Sequence, residues 1–422
     1  MKQLLQGWDL ATWRVTQSQS GFPANIVSIV EINGFIDVEQ LTSRVEKLVQ
    51  THPVLSCAVS DTDPVHLYPI PDFDFSRYIS RTAEPVNTVA GRLANLRIGP
   101  NDCLWRIELH ISGGKSFLIC ALNHAIADGN RAMVIMQSLF DEPREINFQK
   151  EAPSDGKDGF EEIKDTLNQL LIRLVRDPSG LARDIGELTQ SFTRVFATNS
   201  KIDERKASQD LRNYFYKIDK RQMQNYLQGK QVSSHDVLVA IVVCSLQKYF
   251  ANAANPNESF LVNVPVAMNI DDGSSNKILV ARVNFPSGVH AAPDMMGLSR
   301  NELRKWRSEP SLKLAAAALR ASQLLPVEFI VNTLKNSDAT VSTLLGDSQS
   351  KRIFGFEVKG IWPLLGPIGA RLNLTSVAMG SYIHVGICVD ENLIPDQLAW
   401  QEALGKTASE IFGHKLFEQI FE

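Results

Sequence analysis

The stretch Ala121-Leu-Asn-His-Ala-Ile-Ala-Asp-Gly129 puts one histidine, His124, at the end of an apolar run, with Asp128 and Gly129 just beyond it. Histidine is the side chain whose unperturbed pKa best suits proton transfer near neutral pH. A strand that stops on a histidine and turns at Asp-Gly can hold the imidazole rigidly at the edge of a cavity. His124 is therefore the candidate proton acceptor. Asp128 and Gly129 are read as the turn that fixes it. The plainer alternative is a histidine that only closes a core strand.

His235-Asp236 invites a dyad reading, but adjacent side chains at a helix start do not face each other. Ser233 or Ser234 as N-cap, with Asp236 in the first turn, explains those residues better. His52, before Pro53, reads as structural. The chain has no Gly-x-Ser-x-Gly elbow, His-Glu-x-x-His, P-loop or Gly-x-Gly-x-x-Gly after a strand. Serine hydrolase, metalloprotease, NTPase and dinucleotide readings lose support accordingly. Cys57, Cys103, Cys120, Cys244 and Cys388 are scattered without a C-x-x-C pair. That argues against a zinc site or a disulfide framework and fits a reducing cytosol.

Several elements must position His124. Ile26 to Ile32 is β-branched and reads as a strand ending at Asn33-Gly34. Asp37 is an N-cap candidate with Gln40 three positions on, and Val38, Leu41, Val45, Leu48 and Val49 follow at helical spacing. That helix stops before His52-Pro53. Leu104 to His110 and Phe117 to Leu122 read as strands joined by Ser112-Gly113-Gly114. Beyond Gly129, Ala132, Ile135, Met136 and Leu139 share one helical face. Asp141 to Asp158 reads as a loop. Glu161 to Phe196 reads as two amphipathic helices broken at Asp177-Pro-Ser-Gly180, and Ala197 to Ser208 as a charged connection. The second half restarts with a helix over Val237 to Phe250. Strands over Phe260 to Pro265 and Val280 to Phe285 flank a loop over Asn269 to Lys277. Then come a helix over Leu312 to Leu325, a strand over Ile383 to Val389 and a closing helix over Gln397 to Phe412. Strands and helices mix in both halves, which predicts two α/β layered domains. The expected division is an N-terminal domain over 1–160, a helical connection over 161–208 and a C-terminal domain over 209–422.

The chain has 422 residues, 44% hydrophobic and 21% charged, with a formal net charge of -4. Such a balance carries no basic field for nucleic acid or anionic lipid. No apolar run approaches the ~18 to 20 residues of a membrane span. The start, Met1 to Asp9, lacks the apolar core of a signal peptide. The expectation is a cytoplasmic protein with at most peripheral membrane contact.

His-x-x-x-Asp-Gly after a strand resembles the active-site motif of the CoA-dependent acyltransferase superfamily. That group includes chloramphenicol acetyltransferase, condensation domains, polyketide-associated acyltransferases and the wax ester synthase/diacylglycerol acyltransferases. Many of its members carry two adjacent histidines, the second being the base; here the pair is Asn123-His124. The likeness runs along the chain. It includes Trp8 to Trp13, Asp37 to Leu55 and Leu104-Trp105-Arg106. In the second half it includes Ser234 to Ala240, Val264-Pro265-Val266, Asn276-Lys277, Val341-Ser342-Thr343 with Gly346, Leu372-Asn373-Leu374-Thr375, and Val385-Gly386 to Pro395-Asp396. These second-half segments are similar to those of the wax ester synthase branch.

The resemblance implies two chloramphenicol-acetyltransferase-like domains in a V-shaped pseudo-dimer with a tunnel between them. It implies an acyltransferase in which His124 is the general base. The donor is a thioester, acyl-CoA or the phosphopantetheine of an acyl or peptidyl carrier protein, and the acceptor a small hydroxyl or amine compound. No tightly bound cofactor or metal is expected. Asn123, Asp128 and Gly129 shape the motif, with Arg371 as the expected partner of Asp128. Ser342, Thr343 and Asn373 are candidates for contacting the oxyanion or substrate. The alternatives are a stand-alone condensation enzyme of specialised metabolism and a non-catalytic carrier-binding relative.

Overall fold

The computed structural model describes residues 3–142, 210–251, 259–267, 278–288, 290–307, 337–347, 351–413 and 418–421, with isolated positions at 175, 176, 179, 327, 328, 330, 331 and 349. Apart from isolated positions, the expected connection over 161–208, the loop over 269–277 and the helix over 312–325 lie outside the described residues.

The first half opens with β1 (Gln3–Leu4), α1 (Gly7–Gln17) and β2 (Asn25–Ile32). β2 is buried at all eight residues because both its faces are covered. Ile26, Val30 and Ile32 pack with α2 (Val38–Thr51), while Val27 and Ile29 face the opposite way. The Asp37 carboxylate caps α2, accepting from Glu39 N at 3.2 Å; no reciprocal bond from Gln40 accompanies it. The helix ends at Thr51, before His52-Pro53 as the sequence predicts. β3 (Cys57–Val59) and β4 (His66–Pro69) form a small sheet with β1.

β5 (Ile79–Thr82), α3 (Val86–Ala94), β6 (Trp105–Ser112), β7 (Lys115–Asn123) and α4 (Gly129–Gln137) complete this half. Apolar stripes on α2 (Leu41, Val45, Leu48) and α4 (Ala132, Met133, Ile135, Met136) cover one sheet face. Val86, Val89, Ala90 and Leu93 of α3 cover the other.

The second half contains β8 (Leu211–Asp219), α5 (Lys220–Leu227), α6 (Ser234–Phe250), β9 (Phe260–Ala267), β10 (Ile278–Phe285) and α7 (Ala292–Trp306). It continues with β11 (Ala339–Asp347), β12 (Arg352–Ile353), β13 (Phe356–Leu365), β14 (Leu372–Met379), β15 (Tyr382–Asp390), α8 (Gln397–Phe412) and β16 (Glu418–Gln419). Its sheet runs β10-β9-β11-β14-β15-β8-β16. α6, apolar nearly all round, is buried between that sheet and α7 and α8, as an all-round apolar helix requires.

Chain order and sheet membership part company at one place. The first sheet runs β12-β13-β2-β7-β6-β5, so residues 352–365 of the second half pair in it. β13 lies antiparallel to β2, with Trp362 opposite Ile29. It also packs across β14 and β15 of the other sheet. Contact there is close: a Cβ on Gly386 would stand 2.0 Å from the Pro363 carbonyl oxygen. Trp362, Leu364, Phe215 and Cys388 thereby join Val27, Ile29 and α3 in one core between the sheets. The architecture is mixed α/β with two sheets, as expected, but the second lobe lends a hairpin to the first.

Candidate active site

The candidate site forms where β7 ends. β7 pairs with β2 so that Asn123 lies opposite Asn25. Both side chains are fully buried. Asn123 Nδ2 donates to Asn25 Oδ1 at 3.1 Å, and its Oδ1 accepts from Ala125 N at 3.0 Å. Asn25 Nδ2 in turn donates to the carbonyl of Leu93, in the last turn of α3, and to that of Leu96 just beyond it. The Asn123 N–H donates to Leu104 O at 2.8 Å, and the His124 N–H to Ala24 O at 2.8 Å. The backbone on both sides of the imidazole is thus tied down.

The next residues complete the hold. Ala125, Ile126 and Ala127 are fully buried in the core under α2 and α4. Asp128 caps α4, its Oδ1 accepting from Arg131 N at 2.8 Å, and its carbonyl accepts from Ala132 N. From Ala121 to Asp128, His124 is the one residue that is not fully buried. The loop therefore presents one titratable side chain from a fixed backbone, which is what a positioned base requires.

The second lobe meets this loop through β11. Leu345 N donates to Asn130 Oδ1 at 2.9 Å. The Leu344 side chain crowds Gly129, where an added Cβ would come within 2.5 Å of Leu344 Cδ2. Gly129 is thus a point of close approach between the lobes, met by the far end of a flexible leucine side chain. Ser342 lies two residues back on the face of β11 that carries Leu344, and β14 places Thr375 directly beside it. Asn373 lies one step further along that face, its Oδ1 accepting from Thr375 Oγ1 at 2.8 Å.

Thr343 takes the opposite face. Its hydroxyl is 2.9 Å from His235 Nδ1 and accepts from Ser376 Oγ at 3.1 Å. The three candidates Ser342, Thr343 and Asn373 therefore do not share one surface, because alternate residues of a strand point opposite ways. His235 itself is no acid-base dyad with Asp236. Ser233 and Asp236 form a reciprocal capping box on α6, and Ser299 Oγ donates to Asp236 Oδ1. Burial pulls the His235 imidazole down to about 4. His52 is structural too, with Nε2 3.0 Å from Ser138 Oγ.

Arg371 departs from its expected role. It ion-pairs Asp338 at 2.9 Å and stacks on Phe250. Asp338 and Arg371 precede β11 and β14, at the ends remote from Leu344. Five residue steps of strand, about 17 Å, separate Ala339 from Leu344. The resemblance pointed to an arginine, and the sequence could not show which strand end would carry it.

The thiols are inert. Burial pushes Cys120, on the strand leading to His124, up to about 12, and Cys103 likewise; Cys244 rises to about 11. No thiolate nucleophile is available there near neutral pH. Among the described residues no cluster of three or more His, Cys, Asp or Glu could hold a metal ion. No helix among them is long and apolar enough to cross a membrane.

Residues 276–410 match the model of the WS/DGAT C-terminal domain. Among solved structures, the chain is similar to a wax ester synthase/diacylglycerol acyltransferase from Marinobacter aquaeolei VT8. Identity is 14%, coverage 97% of this chain and 98% of that one, and the TM-score 0.62. The TRI3 trichothecene 15-O-acetyltransferase from Fusarium sporotrichioides aligns at 12% identity over 96% and 95% of the two chains, with TM-score 0.65. A variant of the starter condensation domain of the rhizomide synthetase RzmA, in complex with C8-CoA and Leu-SNAC, aligns at 12% identity over 99% and 97%, with TM-score 0.60. No curated protein matches by sequence. At these identities the structural likenesses speak for the fold.

Proposed function

For this chain, with its WS/DGAT C-terminal domain on a two-lobed acyltransferase fold, we propose transfer of an acyl group from a thioester to a hydroxyl or amine. The observation that carries the reading is the single accessible side chain, His124, on a loop whose backbone is tied at Ala24, Leu104 and Asp128. A thioester carbonyl is already activated, so no protein nucleophile is needed. The acceptor O–H or N–H gives its proton to the imidazole as the oxygen or nitrogen attacks the carbonyl carbon. The tetrahedral intermediate collapses by breaking the C–S bond. The imidazolium returns the proton to the departing thiolate, so His124 ends each turnover neutral.

The oxyanion needs a donor in a low-dielectric site. Of the three candidates, Ser342 stands one strand step from the Leu344–Gly129 contact and is assigned that role. Asp128 and Gly129 act through the backbone, Asp128 as the cap of α4 and Gly129 by admitting β11. Asn123 does not mark a lost activity: its carboxamide satisfies Asn25 and the Ala125 N–H and so does a structural job.

The donor is acyl-CoA, a choice supported by the C8-CoA held by a condensation domain of the same fold. A carrier-bound phosphopantetheine thioester is the rival. Presenting one acyl group on CoA and on a carrier protein, and following acceptor-dependent thiol release, tests both claims. Release with acyl-CoA that requires acceptor supports the reading. Release from the carrier form alone moves the chain to the condensation enzymes. No release from either defeats acyl transfer.

A further inference from the structure

The inner face of the second sheet is polar where it leads away from His124. Register aligns Arg282 of β10 with Asn263 of β9, Asn263 with Thr340 of β11, and Thr340 with Asn373 of β14. These four residues form one row across four strands. Val262 and Val264 of β9, Val341 of β11 and Leu372 and Leu374 of β14 belong to the helix-side core. The alternating residues of the row therefore face the other way, toward the first lobe.

Several of these groups are buried with hydrogen-bonding capacity left over. Asn263 Nδ2 donates to Ser337 Oγ at 2.8 Å, but its Oδ1 is buried without a partner. Asn373 Oδ1 is satisfied by Thr375, but its Nδ2 is buried without one. Asn284 Oδ1, one step along β10 from Arg282, is a third such atom. Each orphan of this kind costs roughly 1–3 kcal/mol, and native proteins keep few of them. Gathering three on one stretch of sheet is what a wall awaiting a polar ligand looks like. Two of the atoms accept and one donates, and a hydroxyl can do either.

We propose that this row is the acceptor wall, and that the acceptor is a polyhydroxylated molecule whose remote hydroxyls meet Asn263 and Asn373, rather than a long-chain alcohol. The inference rests on the acyl-transfer reading and narrows its substrate class. Thr340 lies four residues, about 13 Å, from Leu344 along β11. Ser342 and Thr375 stand between them on the same face. An acceptor of that length would meet the wall with one end while its other end lay at the Leu344–Gly129 contact, beside the His124 loop. An alkyl chain laid there would leave the carboxamides unsatisfied and place methylenes beside Arg282.

The test uses the whole chain with an acyl-CoA donor. Polyols from glycerol through hexitols to disaccharides are set against n-alkanols from hexanol to hexadecanol. The ratio of kcat/KM for the best polyol to that for the best alkanol is measured in wild type, Asn263→Leu and Asn373→Leu. The wall predicts a ratio above one in wild type and a fall of about tenfold in each variant, since a site built to hydrogen-bond a hydroxyl discriminates by that bond. It also predicts that the KM for acyl-CoA stays within about twofold. Alkanols outperforming every polyol, or an unchanged ratio in both variants, overturns the inference while acyl transfer stands. A rise in the acyl-CoA KM instead assigns the wall to the donor and overturns it too. If no acceptor supports turnover, acyl transfer itself fails. Calorimetric binding of the same polyols to wild type and Asn263→Leu then decides the wall, and equal or absent binding sinks it.

Discussion

Replacing Asn123 with leucine separates a structural from a chemical role for the residue beside the base. The side chain is fully buried and makes two hydrogen bonds, to Asn25 Oδ1 and from Ala125 N. Leucine keeps the volume and removes both bonds, stranding a buried acceptor and a buried N–H. Asn25 cannot turn its amide to compensate, because its Nδ2 already serves Leu93 and Leu96. Two orphans at roughly 1–3 kcal/mol each give a loss of about 2–6 kcal/mol. For a chain of this size that is a fall in melting temperature of roughly 2–7 °C. The same loosening lets His124 drift, and a displacement near 1 Å costs on the order of a hundredfold in rate. Thermal melting and kcat, measured on one preparation, check both effects. Neutral histidine offers one donor and one acceptor, the two kinds of bond that the carboxamide makes here, so Asn123→His is expected to lose less of each. A hundredfold fall in kcat with an unchanged melting temperature would falsify the structural assignment and place Asn123 in the chemistry. Wild-type behaviour of the leucine variant would show that the bonds do not hold the loop.

Three further outcomes follow from the joints between the lobes. Asn130→Ala removes the bond to Leu345 N; a rise in KM with a stability loss of only about 0.5–1.5 kcal/mol is expected, read by steady-state kinetics beside urea melts. Gly386→Ala drives a methyl into the Pro363 carbonyl where β13 crosses β15, so a loss of roughly 1–3 kcal/mol is expected, and a melting temperature equal to wild type would show that the strands can part. His384 is buried against Trp362. Burial, with Lys217 and Lys220 nearby, pulls its imidazole from 6.5 to about 4. Between those values the unfolded chain binds a proton that the folded chain does not, so stability is highest above pH 6.5 and falls as the pH drops toward 4. The full difference is roughly 3 kcal/mol. His384→Phe should flatten that part of the stability–pH curve, and an unchanged slope would remove His384 from the account.

Much of the frame was legible before any coordinates. β2, β7, α2, α6 and α8 follow from apolar period and caps, and the Gln397–Phe412 helix agrees at both ends. The candidate base was legible because a histidine after a buried strand and before Asp-Gly is a local pattern. What stayed hidden is long-range. Nothing in Phe356–Leu365 says that it pairs with β2, because a buried strand reads the same in either sheet. Thr343 and Ser342 are neighbours in sequence, and only the register with β14 shows that they face opposite ways. Arg371 went to Asp338 for the same reason: a motif fixes residue type, while strand direction fixes which end of the sheet it reaches. The orphaned Asn263 and Asn373 carried no sequence signal beyond lying in strands, since burial without a partner is a property of packing.

The central claim is that His124 takes the acceptor's proton during acyl transfer. Single-turnover rates for wild type and His124→Ala, with acyl-CoA and a saturating acceptor, test it most directly. Melting curves confirm that this partly buried side chain can be removed without unfolding the chain. The account predicts that the rate falls by about 10²–10⁴-fold while the fold persists. A His124→Ala protein that transfers the acyl group at the wild-type rate would contradict it.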